Sequence, residues 1–152
     1  MLYLKEVSFS VGTTHYFALG FKNNKGGYEL RSKYFKGSSS PKYYTLIKGQ
    51  NKTTINLFEG FFDFLSALTY YDLQIPNNDT IILNSLTFLS DVQPLLAKFQ
   101  KINAYLDNDR AGTKALSQLK NGYPYLKNRS QEIYPECDDF NNYLKNLTKV
   151  AN

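Results

Sequence analysis

"KINAYLDNDRAG", Lys101 to Gly112, carries an apolar run that stops abruptly at Asp107, and a second acid, Asp109, follows after one residue. Arg110, Ala111 and Gly112 then open a new pattern. The first seven residues read as a buried strand. Residues 111–122, "AGTKALSQLKNG", read as a helix with Ala111, Ala115, Leu116 and Leu119 inward and Gly122 as its stop. Two carboxylates at the end of a buried strand call for an explanation, because the carboxyl ends of strands are where open α/β sheets bind their ligands.

Working outward, the same alternation repeats. "TINLFEG" is β-rich, and "FFDFLSALTYY" follows with Phe61, Phe64, Leu65 and Leu68 at helical spacing. "DTIILNSL" is a second strand. "SDVQPLLAKF" is a helix with Ser90 as cap, Pro94 near the first turn, and Val92, Leu95, Leu96 and Phe99 inward. "SQEIYP" reads as a fourth strand. "DDFNNYLKNL" closes as a helix with Phe140, Tyr143, Leu144 and Leu147 at i, i+3, i+4 and i+7. Strand–helix repetition of this kind predicts an α/β fold, a mainly parallel sheet with helices on both faces.

Residues 1–52 differ. They read as a small basic β-rich subdomain, joined at "IKGQNKTT" to an α/β domain over 53–152. "NNKGG" (Asn23 to Gly27) marks a hairpin turn, "YELRSKYF" its returning strand, and "KGSSSPK" a flexible loop. The 152 residues, 42% hydrophobic, can bury one core with a small annex. No apolar run reaches the roughly 18 residues that span a bilayer, and "MLYLKEVSFS" lacks a signal-type apolar core, so the expectation is cytoplasmic with no membrane partner. One cysteine, Cys137, and one histidine, His15, exclude an internal disulfide and a Cys/His zinc site within this chain. Charge is uneven: residues 1–52 hold nine Lys/Arg against two acids, and 53–152 hold nine against eleven. That split suits a polyanion bound beside a metal site, although an unevenly charged soluble surface would read the same way.

Acids recur at the expected strand ends: Glu59 at the first, Asp107 and Asp109 at the third, and Glu136, Asp138 and Asp139 before the last helix. Asp63 lies one helical turn after Glu59 and can face the same cleft. An all-oxygen set favours Mg²⁺ or Mn²⁺ over zinc. Taken singly, an Asp-x-Asp is commonly a solvated turn, and Asp138 or Asp139 is an ordinary helix cap. Recurrence along one sheet edge makes the pattern specific.

With those residues in view, the sequence resembles the Toprim domain shared by topoisomerases and bacterial primases. "LFEGFFDFL", followed 48 residues later by "YLDNDRAGTKA", is similar to the primase version, and "CDDFNNYL" resembles its third acidic motif, with Asp139 as the acid and Asn141 where a second acid often stands. The front half is similar to the basic segment preceding Toprim in primases. "GGYELR", "FKGSSSPK" and "FEGFFDFLSAL" look most like primase-like proteins of mobile elements in Bacteroidetes-type bacteria. Those enzymes carry a zinc-binding domain that this chain lacks, so the resemblance implies a catalytic-core fragment.

The implied activity is a DNA primase-like nucleotidyltransferase. It would make RNA primers from ribonucleoside triphosphates on single-stranded DNA, with a helicase or other replication proteins as partners. By the same resemblance Asp107, Asp109 and Asp139 hold the metal, Asp63 supports it, and Glu59 is a ligand or the acid/base. Arg31, Lys33, Lys36, Lys42 and Arg110 contact phosphates, and Tyr34, Phe35, Tyr43 and Tyr44 stack on bases or pack in the sheet. Two alternatives stand beside it: a Toprim nuclease, and a DNA-binding accessory module of a mobile-element replication protein.

Overall fold

The computed structural model describes residues 2–150. The chain divides into two compact units, Met1–Thr45 and Leu46–Asn152, so the joint expected at 49–51 belongs to the second unit.

The first unit is a four-stranded antiparallel meander: β1 (Leu4–Val11), β2 (Thr14–Lys22), β3 (Tyr28–Arg31) and β4 (Lys36–Ser38), in that spatial order. "NNKGG" does turn β2 into β3. Gly26 takes the positive φ of 91°. Asn23 instead buries its side chain, and its Oδ1 accepts from the backbone N–H groups of Lys25 (2.9 Å) and Gly27 (3.1 Å). The expected return strand is shorter than "YELRSKYF", because Ser32 N–H turns back to the Phe35 carbonyl (2.9 Å). The expected flexible loop is half strand: Lys36–Ser38 pair with β3, and the Ser39 N–H donates to the Tyr28 carbonyl (2.8 Å) while Ser39 Oγ accepts from Tyr28 N–H (2.9 Å). Phe9 stacks on Tyr16 across the β1–β2 pair (5.5 Å) and touches Phe35 (5.2 Å).

The second unit is the α/β layer. Its sheet runs β5–β7–β6–β8–β9, built from β5 (Thr45–Ile47), β6 (Asn51–Phe58), β7 (Asn78–Ile82), β8 (Lys101–Tyr105) and β9 (Leu126–Asn128). β6 pairs in parallel with both β7 and β8, and β8 with β9. Helix α1 (Phe61–Tyr70) connects β6 to β7, and α2 (Leu89–Leu96) carries the chain back across to β8. Right-handed crossovers in opposite directions place α1 and α2 on opposite faces. α3 (Arg110–Gly122) links β8 to β9, and α5 (Phe140–Val150) packs on α1. Phe58, Tyr105, Phe64 and Phe140 form the aromatic core on the α1 face, with Phe58 stacked on Tyr105 at 4.4 Å. Val92, Leu96, Leu116 and Leu119 are buried from α2 and α3.

Three sequence expectations change here. "SQEIYP" is not a strand: the fourth parallel strand is Leu126–Asn128, and Arg129–Ile133 form the short helix α4. Ser130 and Tyr134 bury side by side one turn apart, with hydroxyls 2.9 Å from each other, so an i, i+4 pair had mimicked strand alternation. Ser90 lies inside α2 rather than capping it. A 3₁₀ turn, Leu86–Phe88, precedes the helix, and Ser85 Oγ accepts from Thr87 N–H (3.3 Å). Pro94 consequently sits in the second turn of α2. Finally, Ala111 and Leu147 point outward, and Gly112 takes the inward place expected of Ala111.

β7 is locked to the chain entering β6 by a buried carboxylate that the sequence reading passed over. Asp79, with its side chain 2% exposed, receives Lys48 Nζ (2.8 Å), Lys52 Nζ (3.0 Å) and the Gly49 N–H (2.9 Å). Burial alone would raise its pKa, but these hydrogen bonds hold it below the ordinary value.

Candidate metal centre and nucleic-acid surface

Four of the five acids of interest sit where a strand hands over to a helix, and the fifth, Asp139, lies between α4 and α5. Glu59 follows the last residue of β6, and Asp63 lies in the first turn of α1. Asp107 follows β8 by two residues, and Asp109 is the N-cap of α3, its Oδ1 accepting from Gly112 N–H (2.8 Å). Asp139 immediately precedes α5, where its two carboxylate oxygens accept from the backbone N–H (2.6 Å) and side-chain amide (3.0 Å) of Asn142.

The neighbouring strands β6 and β8 bring these ends together. The Asp107 backbone N–H donates to Glu59 Oε2 (3.2 Å). Asp63, 7% exposed, accepts from the Asn141 backbone N–H (3.2 Å), which ties α1 to the start of α5. Asn108, between the two acids, is the staple. Its side chain donates to the carbonyls of Tyr134 (3.0 Å) and Cys137 (2.9 Å), and its backbone N–H to that of Asp138 (2.7 Å). Gly112 is needed because a Cβ there would lie 2.1 Å from the Asp107 carbonyl oxygen.

The electrostatic consequence is pronounced. Burial, then Glu59, Asp63, Asp139 and Asp109, push Asp107 up to about 8. Burial, then Asp139, push Asp63 up to about 7, with Glu59 adding and the Asn141 N–H opposing. The Asp107 carboxylate accepts no hydrogen bond from the described residues. Five acids therefore act on one another at one sheet edge. They are not drawn into a closed shell: among the described residues no three acidic, His or Cys side chains stand close enough to hold an ion as they are. The donor set itself, oxygen only and self-repelling, fits a hard divalent cation.

The expected phosphate contacts are differently placed. Lys33, Lys36 and Lys42 are exposed on the first unit. Arg31 is half-buried, with Nη1 donating to the Leu30 carbonyl (2.9 Å). Beside it Glu29 is buried on β3; burial raises its pKa while Arg31, Lys42 and Lys36 lower it, so part of this basic field is spent inside the unit. Arg110 is exposed at the first residue of α3, in the second unit. Of the four aromatics, Tyr34 is 87% exposed with Lys33 Nζ 5.1 Å from its ring, whereas Phe35 packs on Phe9, and Tyr43 and Tyr44 lie against each other at 4.3 Å. Lys25, not singled out from sequence, sits 3.9 Å over the Tyr43 ring. Phe17, also passed over, is 63% exposed on β2. Asn108 and Asn141 were the other omissions at the site. Asn108 bonds backbone carbonyls, and Asn141, noted in sequence only as standing where a second acid often occurs, bonds Asp63 through its own backbone N–H; neither partnership leaves a residue signature.

Among the described residues no helix is long and apolar enough to cross a membrane. A family model described as Toprim-like matches residues 56–144, and one described as a domain of unknown function (DUF8464) matches residues 1–40. No curated protein matches the sequence significantly. Among solved structures, the primase fragment of the bacteriophage T7 primase-helicase protein is similar at a TM-score of 0.63 and 19% identity, over 93% of this chain and 62% of that one. A second is the bacteriophage T7 lagging-strand DNA polymerase interacting with primase domains bound to an RNA/DNA hybrid and dTTP, at a TM-score of 0.48 and 13% identity, over 96% and 75%. The chain thus spans 62% of the first of these, and the likeness to it is one of fold.

Proposed function

Since the chain belongs to the Toprim-like family, we propose that it is the catalytic core of a primase-type nucleotidyltransferase, joining ribonucleotides on a single-stranded DNA template. The observation that carries this reading is the mutual repulsion of Glu59, Asp63, Asp107, Asp109 and Asp139 at one sheet edge, with Asp107 and Asp63 pushed up to about 8 and about 7. Glu59, Asp107 and Asp109 would hold Mg²⁺ or Mn²⁺, with Asp139 helping and Asp63 set behind them. A bound divalent ion supplies charge stabilisation at the phosphoryl oxygens and the leaving pyrophosphate.

The chain's own residues do the rest. Asn108 and Gly112 fix the direction of the Asp107–Asp109 turn. Asp63 anchors the opposite wall through the Asn141 N–H. Glu59, half-exposed and accepting from the Asp107 N–H, would serve as a further metal ligand or take the proton of an attacking hydroxyl. Lys33, Lys36 and Lys42 give the first unit, with seven Lys/Arg against two acids, a phosphate-binding surface, and exposed Tyr34 offers a ring to a base. A mobile-element replication protein, with a helicase among its partners, is the setting we infer.

Labelled ribonucleotides, single-stranded DNA and Mn²⁺ test this directly. Short labelled primers from the wild type and none from Asp107→Asn are expected. Shortened DNA without primers would instead establish the nuclease reading. Neither product, with DNA binding intact, would establish an accessory module.

A further inference from the structure

The α1 face of the sheet carries a second feature, unrelated to the acids. A parallel sheet under helices should present apolar side chains there. Instead Thr80, Asn56, Asn103 and Lys127 stand side by side in register on β7, β6, β8 and β9. The amides form a ladder. Asn56 Oδ1 accepts from Asn103 (3.1 Å) and from Asn78 (3.2 Å), and Asn56 Nδ2 donates to Thr80 Oγ1 (3.3 Å). Asn103 Oδ1 and the second N–H of each amide are not used within it.

This row floors a cavity of about 490 Å³, well inside the roughly 300–1,000 Å³ of small-molecule sites. Its wall is apolar and partly aromatic: Leu68 from α1, then Tyr71, Leu73 and Pro76, with Tyr71 40% exposed. Lys127 and Arg129 stand at one end, and no acid lines it. Glu132 bonds Arg129 Nη1, and the hydroxyls of Tyr71 and Tyr105 hydrogen-bond the same guanidinium, while Arg129 Nε is buried without a hydrogen-bond partner. At the spacing of neighbouring strands, the row from β7 to β9 extends about 14 Å.

We propose that this cavity binds a nucleoside 5′-phosphate. The amide row supplies the mixed donors and acceptors that read the edge of a base, as Asn does with adenine. Tyr71 and its apolar neighbours cover the ring face. Lys127 and Arg129 take the phosphate. The site lies on the face of the sheet rather than at its carboxyl edge, and it needs none of the five acids.

Titration of the full chain in EDTA with AMP, CMP, GMP and UMP in turn, followed by NMR of the asparagine side-chain amides, tests the proposal without a metal. At least one nucleotide should shift the Asn56 and Asn103 amides saturably. Asn103→Leu should weaken that binding at least tenfold while keeping a native spectrum. Lys127→Ala should weaken the nucleotide and not its nucleoside, and Asp107→Asn, in the acidic site, should leave the nucleotide's affinity for this cavity as it is in the wild type. No saturable shift from any of the four would overturn it. So would affinity unchanged in Asn103→Leu, lost in Asp107→Asn, or fully matched by inorganic phosphate.

Discussion

Asn108 shows how a residue without charge can govern a charged site. Its three hydrogen bonds hold the 134–138 segment against the end of β8. Removing the side chain leaves two carbonyls without their donor, at about 1 kcal/mol or more each. Asn108→Ala should therefore lower stability by about 1–3 kcal/mol in urea unfolding, and weaken divalent-ion binding as the turn loosens. The acids flanking it were legible in sequence, because a carboxylate ending an apolar run is conspicuous. Asn108 was not, since its partners are backbone carbonyls 26 and 29 residues away. Asp63 and Asp107 make a second prediction. Unfolded carboxyls titrate near 4, and here they are raised to about 7 and about 8. Between those limits the native state holds more protons than the unfolded one, so stability falls as pH rises from about 4 to about 8. Thermal melts in EDTA should show a lower midpoint near pH 8 than near pH 5, and Mg²⁺ should restore more of it at the higher pH.

At the scale of elements, the strand-to-helix turns carry the site, and Gly112 sets the tightest of them. Alanine in place of a helical glycine ordinarily gains up to about 1 kcal/mol. Here the new Cβ would meet a backbone oxygen at 2.1 Å, a clash with little room to relax. The clash should win: Gly112→Ala should cost about 1–3 kcal/mol and displace Asp107, read as lost stability together with weaker Mn²⁺ binding. Asp79→Asn should also destabilise, by about 1–3 kcal/mol, because two lysines and the Gly49 N–H converge on a buried carboxylate. Long periodic elements such as α3 were readable because their apolar stripe spans several turns. β9 and α4 were not: at three and five residues neither completes a pattern, and the choice between them is made by burial of Ser130 and Tyr134. The amide ladder escaped notice for a related reason, since its members come from separate strands and meet only in register.

For the whole molecule, residues 1–52 read as β-rich and the rest as alternating strand and helix; the structure has an antiparallel meander and an α/β layer. The order in which the strands line up was not available from the sequence, because that order is chosen by crossovers rather than by local pattern. Charge follows the same division. The first unit carries seven Lys/Arg and two acids, and the second carries eleven of each. If single-stranded DNA binds through the first unit, replacing Lys33, Lys36 and Lys42 by alanine should reduce the slope of log affinity against log salt by about 2. An unchanged slope in a filter-binding titration would remove these lysines from the interface.

Asp109 and Asp139, proposed metal ligands, are also helix starts, with oxygens committed to Gly112 and Asn142. In the proposed centre, function and framework would be written in the same residues. An alanine scan of this edge would read loosened helices as lost chemistry. Asparagine, which caps as well as aspartate, removes the charge and keeps the backbone cap, losing at position 139 only the bond from the Asn142 side chain, and so is the substitution that separates the two.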